Sequence, residues 1–265
     1  MAETSKAREF IRQAQIAAKP PPLAATTNAV QVAFDSARDQ AVVVGSDVIS
    51  FVSGVDEETR KAISNSALLA QLVADRQVED HSDIQAWFEA YFSVLRNIGW
   101  VVQQDEFAEY STQDVGTDVQ KAILDVAATF LGGVPGAVAV VEATLKALTS
   151  LGNDSDWITI FNRESQHART AQFQIALARQ DPEQGLLVES IAFGVEATET
   201  ITTVIFFKLH EQQATLRRRT GRASINTGSL DDLAPAIREK VRAFQTSYIT
   251  GLPDLGPALA SQERT

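Results

Sequence analysis

The sequence predicts an α/β protein of the α+β kind: a single-domain, three-layer α-β-α sandwich whose mainly antiparallel sheet is wrapped by two helical layers. Between Trp157 and Asn226 four or five β-type segments follow one another with turn residues between them. A long stretch of paired helical patterns precedes that run, and one more helix follows it. No strand alternates with a helix often enough to build a doubly wound parallel sheet, and no repeat of about 20 to 50 residues is visible.

Residues 5 to 18 form a short helix with Phe10, Ile11, Ala14 and Ala18 on one side, and Lys19-Pro20-Pro21-Pro22 then forces an extended break. The arrangement reads as an arm on a stiff linker that docks on a partner or is removed by proteolysis; the plainer reading is a frayed terminal helix. The alternation NAVQVAF from Asn28 to Phe34 predicts a strand. Residues 37 to 53 fit strand or helix, because AVVVGSDVISFV is short and apolar throughout, and helix is preferred, with Gly54 near its end.

Asp56-Glu57-Glu58 opens the next helix with negative charge at its positive dipole end, and Ile63, Ala67, Leu68, Leu72 and Val73 form its stripe. Ser82 or Asp80 caps a mostly buried helix in which Trp87, Tyr91, Val94 and Leu95 line one face and Ile84, Phe88, Phe92 and Ile98 broaden it. Gly99 and Trp100 turn the chain into a short strand, and the polar segment from Gln103 to Thr117 belongs on the surface. Two alanine-rich helices, about Asp118 to Leu131 and Pro135 to Leu151, make an apolar hairpin around Gly-Gly-Val-Pro-Gly.

The sheet is expected to start at Trp157 to Phe161 and to continue with Ala171 to Arg179, a hairpin loop at 181 to 185, and Leu186 to Thr198. Thr203 to Glu211 is the fourth strand and Ala214 to Asn226 a bent last hairpin or edge strand. Asp231 caps a closing helix to about Tyr248 with Leu233, Ile237, Val241, Phe244 and Tyr248 on one face, and Gly251 begins a Pro/Gly-rich tail. The chain thus divides into an arm and linker (1 to 25), the α/β domain (26 to 250) and a tail (251 to 265).

Composition narrows function. A formal charge of −11 argues against nucleic acid as a partner, since phosphate binding needs a concentrated basic surface. The absence of cysteine excludes disulfides, thiolate metal sites and cysteine nucleophiles. The N-terminus lacks the apolar core and cleavage site of a Sec signal, so the expectation is a soluble protein made in the cytoplasm and released, if at all, by a non-Sec route to act at a target membrane. The longest uncharged helical stretch, Val126 to Val141, is broken by GGVPG and falls short of the about 20 residues that span a bilayer. No cofactor is expected. Asn153-Asp154-Ser155-Asp156 lacks the glycine and distal glutamate of a calcium loop, so no metal is expected either. His81, His167 and His210 are far apart in sequence, and no HExxH, nucleophile elbow or phosphate loop occurs, so the protein is read as not an enzyme.

The segment from Trp157-Ile-Thr-Ile-Phe through FQIALA to FGVEATETITTVIFFKL, preceded by the helical hairpin, resembles the strand core of the cytolytic delta-endotoxin family, including volvatoxin-like proteins. The resemblance runs from about Val119 to Asn226 and rests on pattern and order. It implies a sheet wrapped by two helical layers, membrane permeabilisation, and trimming of terminal segments on activation. The residues carry a physical version of the same idea. If the apolar hairpin swings away, strands of about ten residues cross hydrocarbon once their edges close in an oligomer.

Phe130, Leu131, Val138, Val141, Phe173, Phe193, Phe206 and Phe207 are the membrane or lipid candidates, with Glu196, Thr198, Glu199, Thr200, Thr202 and Thr203 as a polar rim or lumen. The four phenylalanines of the strands are core residues under either reading. Arg217, Arg218, Arg219 and Arg222 are candidates for an anion or lipid phosphate, or else a charged edge strand that blocks aggregation. The expected partners are a lipid membrane, further copies of the chain and a partner for the N-terminal arm. The alternative function is a non-lytic module that holds a lipid or other apolar ligand between helices and sheet, or an effector or cargo docked through the arm.

Overall fold

In the computed structural model the described residues are 2–18, 32–104, 107–110, 119–134, 136–150, 156–201, 203–204, 214–252 and 255. The helices are α1 (Ala2–Gln13), α2 (Glu57–Gln77), α3 (Ile84–Asn97), α4 (Val119–Leu131), α5 (Ala137–Ser150), α6 (Asp156–Ser165), α7 (Thr227–Val241) and α8 (Gln245–Tyr248). The strands are β1 (Gln40–Val44), β2 (Asp47–Phe51), β3 (Val101–Gln104), β4 (Ala108–Glu109), β5 (Gln166–His167), β6 (Thr170–Asp181), β7 (Gly185–Glu196), β8 (Thr215–Ser224) and β9 (Ile249–Gly251). They form one sheet in the order β3-β8-β7-β6-β2-β1-β9, with β4 against β8 and β5 against β6. Every recorded pairing is antiparallel except β2 with β6.

Strand alternation sends successive side chains to opposite faces, and each face carries its own core. On one side α1, α2, α3, α7 and α8 pack Leu68, Leu72, Trp87, Phe88, Ile98 and Ile237 over Ile49, Phe51, Ala176, Ala178 and Ala192. On the other side α4, α5 and α6 pack over Val43, Val48, Phe173, Ile175, Leu177, Ile191, Phe193 and Val195. The expected three-layer sandwich with a mainly antiparallel sheet is therefore the observed one.

Several local expectations are corrected. Residues 37 to 53 are a β-hairpin rather than a helix: β1 and β2 pair around Gly45-Ser46, with Gly45 at φ +55°. Because both faces of β1 and β2 are buried, no polar residue marks the two-residue period, and β-branched content favours the strand. Trp157 to Phe161 belongs to α6, not to a strand; Trp157, Ile158, Ile160 and Phe161 are buried while Thr159 is exposed, a helical spacing that so short a segment shares with a strand.

Asp83, not Ser82 or Asp80, caps α3 through its bond from Ala86 N, and Asn226, five residues before Asp231, caps α7. The segment from Thr215 is a single strand inside the sheet, covered on its outer side by β3 and β4, so it is neither a hairpin nor an edge. Val32 to Phe34 are not in a strand, nor are Thr203 and Val204, while the rest of the strands expected at 28 to 34 and 203 to 211 lies outside the described residues.

The N-terminal helix α1 lies against α7, with Ala7 and Ile11 buried, Arg8 Nη2 donating to Asp232 O at 3.0 Å and Lys240 Nζ donating to Arg12 O at 3.2 Å. The Pro-rich linker at 19 to 31 lies outside the described residues. At the other end of the chain β9 adds to β1, and Leu252 N donates to Ala41 O.

Candidate membrane-active face

The helical hairpin α4–α5 covers the face of the sheet on which the strand candidates meet. Phe173 of β6 and Phe193 of β7 are cross-strand partners, fully buried, with ring centroids 5.0 Å apart and planes 18° apart. Phe161 of α6 meets Phe173 edge-on at 5.7 Å. From the hairpin, Leu131 and Val141 are buried in the same cluster, and Phe130 and Val138 pack on it half-buried. Six of the eight sequence candidates thus share one apolar cluster; Phe206 and Phe207 lie outside the described residues.

The two helical layers are attached to the sheet by different chemistry. Every buried side chain of α4 is apolar, and so is every one of α5 except Thr144. Thr144 Oγ1 lies 2.9 Å from Ser50 Oγ of β2. At the rim Tyr110 Oη donates to Asp125 Oδ2 of α4 at 2.7 Å, and the Arg222 guanidinium sits 5.7 Å from the Phe130 ring centre.

By contrast α2 buries Arg60, Asn65, Ser66 and Gln71. Fully buried Arg60 donates to Val55 O, Gln40 Oε1, Arg38 O and Val52 O, tying α2 to the β1–β2 region. Gln71 Nε2 donates to Val44 O at 2.8 Å, and its Oε1 accepts from Ser46 N at 3.0 Å. Tyr91 of α3 donates to Asp47 Oδ2 at 2.8 Å, while Gln174 Nε2 donates to Asp47 Oδ1 at 3.2 Å. Burial pushes the Asp47 carboxyl up to about 7 and drives the Tyr91 hydroxyl well above its usual range.

The comparisons name no family. No protein-family model matches the chain, and no curated protein matches it. Among solved structures, a delta-endotoxin aligns over 78% of this chain and 91% of its own, at 14% identity with a TM-score of 0.39. The Evf virulence factor aligns over 78% and 84% respectively, at 10% identity with a TM-score of 0.34. At such scores neither likeness decides the activity.

Alternation along β8 divides the arginine cluster. Arg217 and Arg219 face the α2–α3 side, where Arg217 pairs with Glu196 at 2.9 Å and nearly buried Arg219 pairs with Glu89 at 2.8 Å over the Phe107 ring. Arg218 and Arg222 face the α4–α5 side. Arg222 and Arg179 both donate to Glu189, whose side chain is fully enclosed, at 2.9 and 3.0 Å. Arg218 lines an open polar cleft of about 210 Å³ with Glu109, Tyr110, Asp125 and Thr129. The four residues are therefore two pairs on opposite faces, not one basic patch.

His81 and His167, far apart in sequence, stack with ring centroids 4.5 Å apart. His81 Nδ1 is 4.0 Å from Asp75 Oδ1, and Trp87 Nε1 donates to the same oxygen at 2.7 Å. Burial raises Asp75 to about 6, and burial followed by the neighbouring His81 lowers His167 to about 4. His210 lies outside the described residues.

A cavity of about 40 Å³ lies between α2–α3 and the sheet. It has room for about three waters and is far below the about 300 Å³ at which ligand pockets begin. Among the described residues no group of histidine and carboxylates has the arrangement of a metal site, and no helix is long and apolar enough to cross a membrane.

Proposed function

We propose that this protein is a membrane-active, toxin-like protein that permeabilises bilayers: α4–α5 moves off the sheet, the uncovered strands meet lipid, and several copies close their edges into a barrel-like assembly. The contrast between the two helical layers carries the reading. A layer held by apolar contacts loses little when its contacts are exchanged for lipid, whereas the layer tied by Arg60, Gln71 and Tyr91 would leave buried polar groups unpaired.

The strands beneath suit the proposed use. β6 and β7 are 12 residues each, enough for the about 9 to 11 residues of a tilted spanning strand. Toward α4–α5 they present Phe173, Ile175, Leu177, Ile191, Phe193 and Val195. Toward α2–α3 they present Gln172, Gln174, Ala176, Ser190, Ala192 and Gly194, the small and polar residues a lumen requires, with the larger Leu186 and Val188 at one end. The rung of Arg179, Glu189 and Arg222 closes one end of the apolar band, at the depth where head groups would lie. Glu196 ends β7, and Thr198, Glu199 and Thr200 follow as an exposed rim; Thr202 lies outside the described residues. A closed lipid-carrying pocket has no matching space in the about 40 Å³ cavity.

The test uses the absence of cysteine in the chain. Ser50→Cys with Thr144→Cys places two thiols where hydroxyl oxygens are 2.9 Å apart, a bridge from β2 to α5. The oxidised variant should release no dye from liposomes, and reductant should restore release to the wild-type level. Release that is unaffected by the closed bridge would remove the hairpin from the mechanism. No release by the wild type over several lipid mixtures and pH values would remove the membrane reading itself.

A further inference from the structure

The small cavity between α2–α3 and the sheet joins apolar walls, among them Ile63, Phe92 and Leu95, to the polar side chains of Asp47, Tyr91, Gln174, Ser66 and Ser190. Trp100 lines the same space, and its Nε1 is buried without a hydrogen-bond partner among the described residues. Asp47 is wholly enclosed, and it follows the Gly45-Ser46 turn at the first position of β2.

The groups that face Asp47 supply three hydrogen-bond donors and no cation. α3 presents the Tyr91 hydroxyl, β6 the Gln174 amide, and α2 presents Gln71 and, further off, Asp75. Along the same seam stand His81 before α3, Glu164 and Arg163 of α6, His167 of β5 and Tyr248 of α8. Arg163 pairs with Glu164 and donates to Ser247 O, and it is not among the groups that act on Asp47.

We propose that this cavity is a proton-controlled hydration site: when Asp47 gives up its proton, water enters the cavity, and the hydrated carboxylate loosens the α2–α3 layer from the sheet. A carboxylate has about four acceptor positions, and an unpaired charge in an apolar enclosure is far costlier than a neutral acid. Tyr91, Gln174 and Gln71 fill three of those positions and leave one for water. The cavity beside them has space for about three waters, and Trp100 Nε1 is a waiting donor on its wall.

The proton lost from Asp47 goes to solvent water, so the step needs no other reactant. Burial places the transition near neutrality, with Asp47 at about 7, while Asp75 at about 6 adds a like charge on the alkaline side. His167, held down to about 4, stays neutral throughout and gives no compensating cation. The device lies on the layer opposite α4–α5, so it stands independently of the membrane reading.

Hydrogen exchange of α2 and α3 amides, corrected for the intrinsic effect of pH, tests it in lipid-free buffer between pH 5 and 9, together with tryptophan emission. The expected result is an exchange increase of about tenfold from pH 6 to 8 with a red shift of emission. Asp47→Asn should flatten both profiles, and Asp75→Asn should leave a transition centred near 7. A wild-type profile without change over this range would overturn the proposal, as would an Asp47→Asn profile that matches the wild type. If Asp47→Asn does not fold, the wild-type and Asp75→Asn profiles decide.

Discussion

Phe173 and Phe193 stack across the β6–β7 pair at 5.0 Å, and their rings form the floor on which α4–α5 rests. Each is fully buried, so truncation leaves a cavity in a close-packed core. Phe193→Ala is expected to cost about 3–5 kcal/mol, read as a lower urea midpoint at an unchanged slope. A cost below about 1 kcal/mol would mean that the face is looser than the packing requires.

Stability should fall as pH rises from about 4 to 7. Burial raises Asp47 from 3.8 to about 7 and Asp75 from 3.8 to about 6, and Glu164 moves the same way for the same reason. A carboxyl that holds its proton longer in the folded state stabilises the fold fully below the unfolded value and loses that contribution as pH climbs through the folded value. His167 opposes this: lowered from 6.5 to about 4, its contribution is complete above 6.5 and is lost as pH falls to about 4. Three carboxyls outweigh one imidazole, so scanning calorimetry should give a higher midpoint at pH 5 than at pH 8. A midpoint that rises over that interval would contradict the assignment.

Arg60 ties α2 to the β1–β2 region through four hydrogen bonds. Lysine in its place has no fork to reach Val55 O, Gln40 Oε1, Arg38 O and Val52 O together. Arg60→Lys should therefore destabilise by about 2 kcal/mol or more, because buried acceptors are left unpaired. Chemical denaturation monitored by circular dichroism would measure it, and a neutral outcome would show that water replaces the lost donors.

Ala168 turns the chain between β5 and β6 at φ +55°, a left-handed conformation that costs a residue with a Cβ. Ala168→Gly should be neutral or stabilising by up to about 1 kcal/mol, in contrast to the loss expected of a glycine placed in a strand or helix. A thermal midpoint lowered by several degrees would show that the flanking bonds, Ile201 N to Ala168 O among them, depend on the methyl group.

Removal of α1 should not unlock permeabilisation. The family resemblance implies trimming of terminal segments on activation, but α1 packs on α7 and α3, across the sheet from α4–α5. A form beginning at Ala24 should release dye no faster than the full chain, and should unfold at a lower temperature because Ala7 and Ile11 no longer cover the helical layer. Faster release after trimming would show that the two layers are coupled through the sheet.

Long elements with an unambiguous period were legible in the residues. Twenty-one residues of α2 with Asp56 before them, and two 12-residue strands around a Pro-Glu-Gln loop, state their own type and, within a few residues, where they lie. So did the apolar hairpin α4–α5, and with it the membrane candidates, because large apolar residues in long regular elements find a core under almost any packing.

Short apolar segments were not legible. AVVVGSDVISFV and WITIF satisfy both periods, and only burial on two faces for the first, and against Phe173 for the second, selects between them. The buried polar groups were also silent, since residues far apart in the chain, Asp47 with Tyr91 and His81 with His167, acquire their chemistry only when the sheet and helices enclose them.

The sequence by itself determined a two-sided sheet between helical layers, an apolar hairpin and the lack of any cysteine or recognisable catalytic motif. The tertiary structure alone decided which layer is held by hydrogen bonds and which by apolar contact, how the arginines divide between faces, and which carboxyl is enclosed in the core. The physical reason is that periodicity is a property of neighbours in the chain, whereas desolvation and pairing depend on what the rest of the chain brings alongside.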